Sequence, residues 1–295
     1  MQGKVSSTGH ARQLGKGQDI VYSGERDGVT FLAVGDGHGP GAVVMRAKGW
    51  DWDSLGNKER SVQDIMQPWI DDENISGEST SDDGMTLSVV RVYDIEGGKK
   101  KIEIAWIGDS SVGVWDKETE KSLFFNEPAY GEGYRLHEKF CGRVEKSSAI
   151  NFEVVDDENI RAVEDFYFTF TPVQGSCYAG CEETVNMSGA IGHRGITHHP
   201  FFSHEIVVEE DAKIVIRVAT DGLWNVVHKG DIDSVVSNPK CTSEMLTGFA
   251  LKRWNMLWNY DPNIPGKGTM APLQRYVPLG DPDDVAVGTI LIGFD

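Results

Sequence analysis

Short, β-branched apolar runs dominate this chain, and several of them stop at an aspartate. VTFLAV at 29–34 breaks off into Gly35-Asp36-Gly37-His38-Gly39. IEIAWI at 102–107 leads into Gly108-Asp109-Ser110, and KIVIRVA at 213–219 into Thr220-Asp221-Gly222. VAVGTILI at 285–292 is preceded by Asp283-Asp284. Apolar runs of this length, bounded by turn formers, read as buried strands rather than helices. A chain made of them has to pair strands into sheets and cover the sheet faces. No apolar run approaches the roughly 20 residues that a membrane helix requires.

Further strands read at 86–93 (TLSVVRVY) and 102–107, split by the turn Glu96-Gly97-Gly98-Lys99. The runs 111–115 and 122–125 read as a hairpin across DKETE, and DFYFTFTPV at 165–173 alternates aromatic and polar residues. Two segments carry a helical stripe. The first, 61–70, places Val62, Ile65, Met66 and Trp69 on one face, with Pro68 expected to end or kink it. The second, 243–260, aligns Leu246, Phe249, Ala250, Trp254, Leu257 and Trp258, with Ser243 as its N-cap. Asp221-Gly222-Leu223-Trp224 opens a further helix. Residues 174–204 and 261–280 show no period and read as loops. Adjacent runs of strands with helices between them predict an α+β fold of packed antiparallel sheets, not a parallel doubly wound one. Residues 1–295 read as one domain, with 1–17 a flexible N-terminal segment.

Charge narrows the partners. The 295 residues hold 28 basic and 46 acidic side chains, a formal net charge of −18. Such a surface repels nucleic acid and anionic membranes, so neither is expected as a partner, whereas a basic partner or bound cations suit it. The polar N-terminus has no apolar signal core, which points to an intracellular protein, cytoplasmic or nuclear. Cys141, Cys177, Cys181 and Cys241 are thinly spread and read as reduced thiols. Cys177 and Cys181 lie near His193, His198, His199 and His204, but no second matching pair follows, and a surface loop is the better reading than a zinc site.

Any one of the aspartates has an ordinary reading, since Asp-Gly is a common turn pair. Together they imply more. Were the strand ends to converge, several carboxylates would share a small volume and raise one another's pKa. A divalent cation removes that cost, and ligands made only of oxygen select Mg²⁺ or Mn²⁺. Two such ions about 3.5–4 Å apart activate a water and hold a phosphoryl oxygen. Gly37 lets the backbone approach closely enough to offer its carbonyl. His38 is then placed as a general acid for a leaving alkoxide.

In this order the motifs resemble those of the metal-dependent serine/threonine protein phosphatases of type 2C. Asp36-Gly37-His38-Gly39 matches the family's D-G-H-G, Gly108-Asp109-Ser110 its G-D-S, and Asp221-Gly222-Leu223-Trp224-Asn225 its D-G-L-W-D. Asp283-Asp284 matches the D-N before the last strand, and Gln18-Asp19 the acid pair upstream. Weaker echoes are Gly84-Met85-Thr86, Cys141-Gly142-Arg143-Val144 and the run from Ser188 to His193.

The resemblance implies two antiparallel sheets packed face to face and flanked by helices, an αββα sandwich. It implies two or three Mg²⁺ or Mn²⁺ ions, hydrolysis of phosphoserine and phosphothreonine, a phosphoprotein substrate and a monomer. By the same analogy Asp36 bridges two ions and Gly37 gives a carbonyl. Asp221 and Asp283 bind one ion, Asp19 with Gln18 holds water, and Asp109 serves a third ion. His38 protonates the leaving oxygen, and Arg12 stands for the phosphate-binding arginine at a different spacing. Asn225 and Asp284 replace the family's Asp and Asn, Gly189 and His193 replace an Arg and an Asp, and residues 40–83 lack the long helical stripe that follows D-G-H-G. These departures keep a second reading open, an inactive pseudophosphatase that binds a partner.

Overall fold

The apolar runs pair as strands. The computed structural model describes residues 4–13, 17–75, 83–126, 141–172, 183–185, 190–192, 201–264, 273–276 and 283–294. In chain order the strands are β1 Val5–Arg12, β2 Ile20–Arg26, β3 Val29–His38, β4 Gly84–Ile95, β5 Lys99–Ile107, β6 Ser111–Asp116 and β7 Lys121–Phe125. There follow β8 Cys141–Val154, β9 Asn159–Pro172, β10 Glu183–Val185, β11 Phe202–Glu209, β12 Ile214–Ala219, β13 Trp258–Asp261, β14 Leu273–Tyr276 and β15 Val285–Ile292. The α-helices are α1 Ala42–Ala47, α2 Val62–Ile75, α3 Asp221–Trp224, α4 Lys229–Asp231 and α5 Ser243–Trp254.

Two five-stranded antiparallel sheets carry the fold, ordered β1-β15-β12-β6-β7 and β11-β5-β4-β3-β2. They face each other across one apolar cluster. Leu32, Val34, Val90, Val92, Ile102 and Ile104 meet Val112, Val114, Ile214, Ile216, Val218 and Ile290 there. Each such side chain contributes about 1.5–3 kcal/mol when fully buried, which makes this interface the principal source of stability. A second cluster covers the outer face of the β3–β4–β5 sheet with Val43, Val44, Ile65, Met66 and Ile70 of α1 and α2. A third covers the other sheet with Leu223 of α3 and Leu246, Ala250 and Trp254 of α5.

Several local readings change in three dimensions. Pro68 lies inside α2 rather than ending it. A proline cannot donate to the carbonyl four residues back, and here the Arg60 guanidinium donates to that Asp64 carbonyl instead. The second helix stops at Trp254, and Trp258 joins β13. Its N-cap is Thr242, whose Oγ1 accepts from Met245 N, while Ser243 Oγ lies 2.8 Å from Thr289 Oγ1. The N-terminal segment, read as flexible, contains β1, which pairs with β15 from Val5:Ile292 to Arg12:Val285. The spans read as loops contain β10, β11 and β14, and the rest of 174–200 and 265–282 falls largely outside the described residues. Cys177, Cys181, His193, His198 and His199 of the weighed zinc idea fall outside them too.

The resemblance did not imply a third sheet, yet one is present. It runs β10-β9-β13-β14 with β8 on β9, and β13 lies parallel to β9. After His38 the short α1 and the 14-residue α2 cover the outer face together with an aromatic cluster. Tyr22 stacks on Trp52 at 4.6 Å and Trp50 on Trp69 at 4.9 Å. Among the described residues no helix is long and apolar enough to cross a membrane.

Candidate metal centre

Strand register brings the acids together. Ala219, the last residue of β12, pairs with Ser111 on one side and Val287 on the other. Asp221, Asp109 and Asp283, each two to four residues beyond those partners, are therefore carried to one end of that sheet. On the facing sheet Ile20 pairs with Gly35, which sets Asp19 beside Asp36. The two rims meet where the sheets meet, and all five carboxylates interact there.

Glycines permit this approach. A Cβ on Gly37 would come within 2.1 Å of Val44 Cγ2, and one on Gly222 within 2.0 Å of the Asp284 carbonyl oxygen. Neither position tolerates a side chain. The α3 turn is also held by Trp254, whose indole N–H donates to Gly222 O at 2.7 Å.

The electrostatics are those of crowded acids. Burial, then the charges of Asp221, Asp19, Asp109 and Asp283, holds Asp36 well above the usual carboxylate range. Burial raises Asp19 likewise, although its hydrogen bonds to Asp36 and Thr220 pull the other way. Burial and then Asp109 push Asp221 up to about 7, against hydrogen bonds from Asp36 and Asn225. Burial brings Asp109 up to about 6, with Asp283 adding to the shift. Asp36 thus shares hydrogen bonds with both Asp19 and Asp221, as carboxyl groups do when like charges cannot all ionise.

Asp19 Oδ1, Asp109 Oδ1 and Asp221 Oδ1 are buried and accept no hydrogen bond. Leaving such oxygens unsatisfied costs the full desolvation of each group. A set of oxygen donors with this much negative charge matches a hard divalent cation, so the residues fit Mg²⁺ or Mn²⁺. No three of the five bring their ligand atoms within 4.8 Å of one another. Among the described residues the group that does so is Asp157, His228 and Asp231, at the outer side of the β1–β15 sheet. Arg253 sits in it, donating to Asp231 Oδ2 at 2.7 Å and to Asp157 Oδ1 at 2.5 Å. That group is an ion-pair clasp with a cation, Arg253, already in place.

Each residue singled out from the sequence has a definite place. Asp19, Asp36, Gly37, Asp109, Asp221 and Asp283 line the junction, and His38 ends β3 opposite Gly84. Arg12 is exposed at the end of β1, opposite Val285. Asn225 Nδ2 donates to Asp221 Oδ2 at 3.1 Å. Asp284, matched to the family's Asn, accepts at Oδ2 from the backbone N–H of Gly17 (2.7 Å) and Gln18 (3.0 Å), pinning the segment before Asp19.

Three supports went unread in the sequence. Thr220 donates to Asp19 Oδ2 at 2.9 Å and accepts from Ala286 N at 3.1 Å, so one hydroxyl ties β2 to β12 and β15. Gln13 Nε2 donates to Asp19 O at 2.8 Å. Asp83 accepts from Gly41 N and Ala42 N. Thr220 was the most legible of the three, because a threonine before Asp221 invites the question of what its hydroxyl holds.

Solved structures with the same fold are known. The photosystem II phosphatase PBCP matches with a TM-score of 0.54 and 13% identity, over 99% of this chain and 100% of that one. The catalytic domain of the serine/threonine protein phosphatase PstP in complex with two manganese ions gives 0.52 and 14%, over 98% of both chains. The Mycobacterium tuberculosis serine/threonine phosphatase PstP/Ppp gives 0.52 and 14%, over 98% and 99%. This chain has the type 2C phosphatase fold. No protein-family model and no curated protein matches the sequence. At these identities the likeness establishes the type 2C fold alone.

Proposed function

We propose that the chain is a metal-dependent protein serine/threonine phosphatase acting on phosphoserine or phosphothreonine in a phosphoprotein. The observation that carries this reading is the set of five crowded carboxylates at the rim between two type 2C sheets, four of them raised by burial and by one another and three with an unsatisfied oxygen.

Divalent ions, when bound, supply a water nucleophile at neutral pH and neutralise charge on the phosphoryl oxygens. Asp36, between Asp19 and Asp221, is proposed to face two ions, with the Gly37 carbonyl beside it. Asp221 and Asp283 would hold one ion, and Asp109 would help hold a third. Asp19 and Gln18 orient water at the site. His38 gives its proton to the serine or threonine oxygen as the phosphorus–oxygen bond breaks, which removes the cost of an alkoxide leaving group. Arg12, exposed at the rim, takes the phosphate.

A second reading, a pseudophosphatase that binds a partner, has one observation in its favour. Asn225 occupies Asp221 Oδ2, an oxygen that an ion would otherwise use. Phosphate release from a phosphothreonine peptide, with Mn²⁺, with Mg²⁺ and with EDTA, separates the two. Metal-dependent release supports the enzyme. Absent turnover alongside measured ion binding supports the binding protein.

A further inference from the structure

We infer that Asp83, which is not a ligand in the proposed centre, is a positioning residue that fixes the turn at 39–42 and through it the end of β3 that carries Gly37 and His38. This rests on the reading above for its catalytic consequence, though not for its geometry.

The argument starts from a gap in local chemistry. The helix α1 begins right after the turn, and its N-cap is Gly41, in the left-handed region at φ 82. A glycine has no side chain with which to cap the free N–H groups of a first turn. The cap has to come from elsewhere. The β3–β4 ladder runs up to the pair His38:Gly84 and ends there. Asp83, one residue earlier, leaves the ladder on the β4 side and reaches across to the chain that leaves β3. Its Oδ1 accepts from Gly41 N at 3.1 Å and its Oδ2 from Ala42 N at 3.0 Å. Asp83 is 0% exposed, so water does not compete for these bonds.

The same turn is held from its other side. Gln18 Nε2 donates to Gly39 O at 2.8 Å, and Gln18 is itself fixed through its backbone N–H on Asp284. Ile191 adds a two-bond bridge to Met85, donating and accepting at 2.8 and 2.9 Å, which locks the start of β4 that carries Asp83. The Gly39 carbonyl and the Gly41 and Ala42 N–H groups are thus held by side chains from two other segments. Precise placement of a general acid matters because small displacements from the reacting atoms lower rates steeply. A carboxylate with two oxygens fastens two adjacent N–H groups. An amide offers one acceptor oxygen to the same pair, and an alanine offers none.

The test uses Asp83→Ala and Asp83→Asn in the whole chain, the Asn variant guarding against a fold lost in the Ala variant. Without added metal, amide exchange at Gly41 and Ala42 is expected to quicken roughly ten-fold or more, while Phe31 to Val34 in β3 stay protected. The His38 ring proton resonances are expected to shift in the same samples. Unchanged exchange at Gly41 and Ala42, or an unmoved His38 signal, would overturn the inference whether or not the chain is an enzyme.

The catalytic arm compares two leaving groups. Turnover of a phosphothreonine peptide, whose alkoxide needs a proton, should fall on the order of ten-fold. Turnover of p-nitrophenyl phosphate, whose leaving group needs none, should fall much less. Equal losses on both substrates would reduce Asp83 to a structural part and reject the positioning role. Wild-type protein inactive on both would defeat the proposed function, leaving the exchange and resonance results to judge Asp83.

Discussion

Two clusters of aspartates in this molecule differ in one respect that decides what each can do. At the rim between the sheets, Asp19, Asp36, Asp109, Asp221 and Asp283 crowd together, and burial with mutual repulsion raises the first four. At the clasp, one ligand atom each of Asp157, His228 and Asp231 lies within 4.8 Å of the other two, and Arg253 donates to both acids. The clasp has the tighter geometry and even the mixed ligand set of a metal site. A cation already sits inside it, and Arg253 occupies both oxygens of Asp231 and one of Asp157. The rim is looser and unbalanced, and three of its oxygens have no partner. On the proposed reading, unmet charge points to the cation site and proximity of ligands does not.

The sharpest way to break this contrast is at Asp36. Asp36→Asn removes the carboxylate that shares hydrogen bonds with both Asp19 and Asp221, and should cut metal-dependent phosphate release by roughly 100-fold or more. Near-normal turnover in a phosphate-release assay would remove the rim from the account.

Arg253 tests the other side. Arg253→Ala leaves Asp231, with only 6% of its side chain exposed, as an uncompensated buried charge. Breaking a buried pair in this way costs about 3–5 kcal/mol. Thermal melting should fall by roughly 2–4 °C for each of those kcal/mol, with metal-dependent turnover intact at low temperature. An unchanged melt would show that the clasp is idle.

The rim also predicts a pH dependence. A carboxyl group whose pKa is raised in the folded state binds its proton more tightly folded than unfolded. It therefore favours folding while protonated, and that contribution is lost as pH rises. Asp109 at about 6 and Asp221 at about 7, against an unfolded value of 3.8, set the window from about 4 to about 7. In EDTA the melting temperature should fall across that window, and Mn²⁺ should restore more stability at pH 7.5 than at pH 5. A metal effect independent of pH would contradict the crowded-acid picture.

The smallest effect is expected at Asp157, whose side chain is 82% exposed. Asp157→Ala should change stability by less than about 1 kcal/mol, because an exposed partner is screened by water. A larger drop in a denaturant titration would mean that the β8–β9 turn depends on the clasp more than its exposure implies.

What could be read in the sequence was local. The apolar runs, their terminating aspartates and the hairpin turns each rest on a few adjacent residues, and the strands 29–38, 99–107, 214–219 and 285–292 follow from them. What could not be read depends on chain brought from far away. β1 has little apolar signal in VSSTGHAR and is a strand because β15 offers it an edge. Pro68 reads as a helix end until Arg60 is seen to serve the Asp64 carbonyl. Thr220, Asp83 and Asp284 carry no catalytic motif of their own. They matter through bonds to Asp19, to the Gly41 turn and to the Gly17–Gln18 backbone, contacts that span more than 40 residues each.

The contrast between the two clusters is tested most directly by calorimetric titration with Mn²⁺ at pH 7.5 of three proteins: wild type, Asp36→Asn and His228→Ala. The account predicts binding to the wild type, its loss in Asp36→Asn and its full retention in His228→Ala. Binding that survives Asp36→Asn and disappears in His228→Ala would place the cation in the clasp and contradict the account.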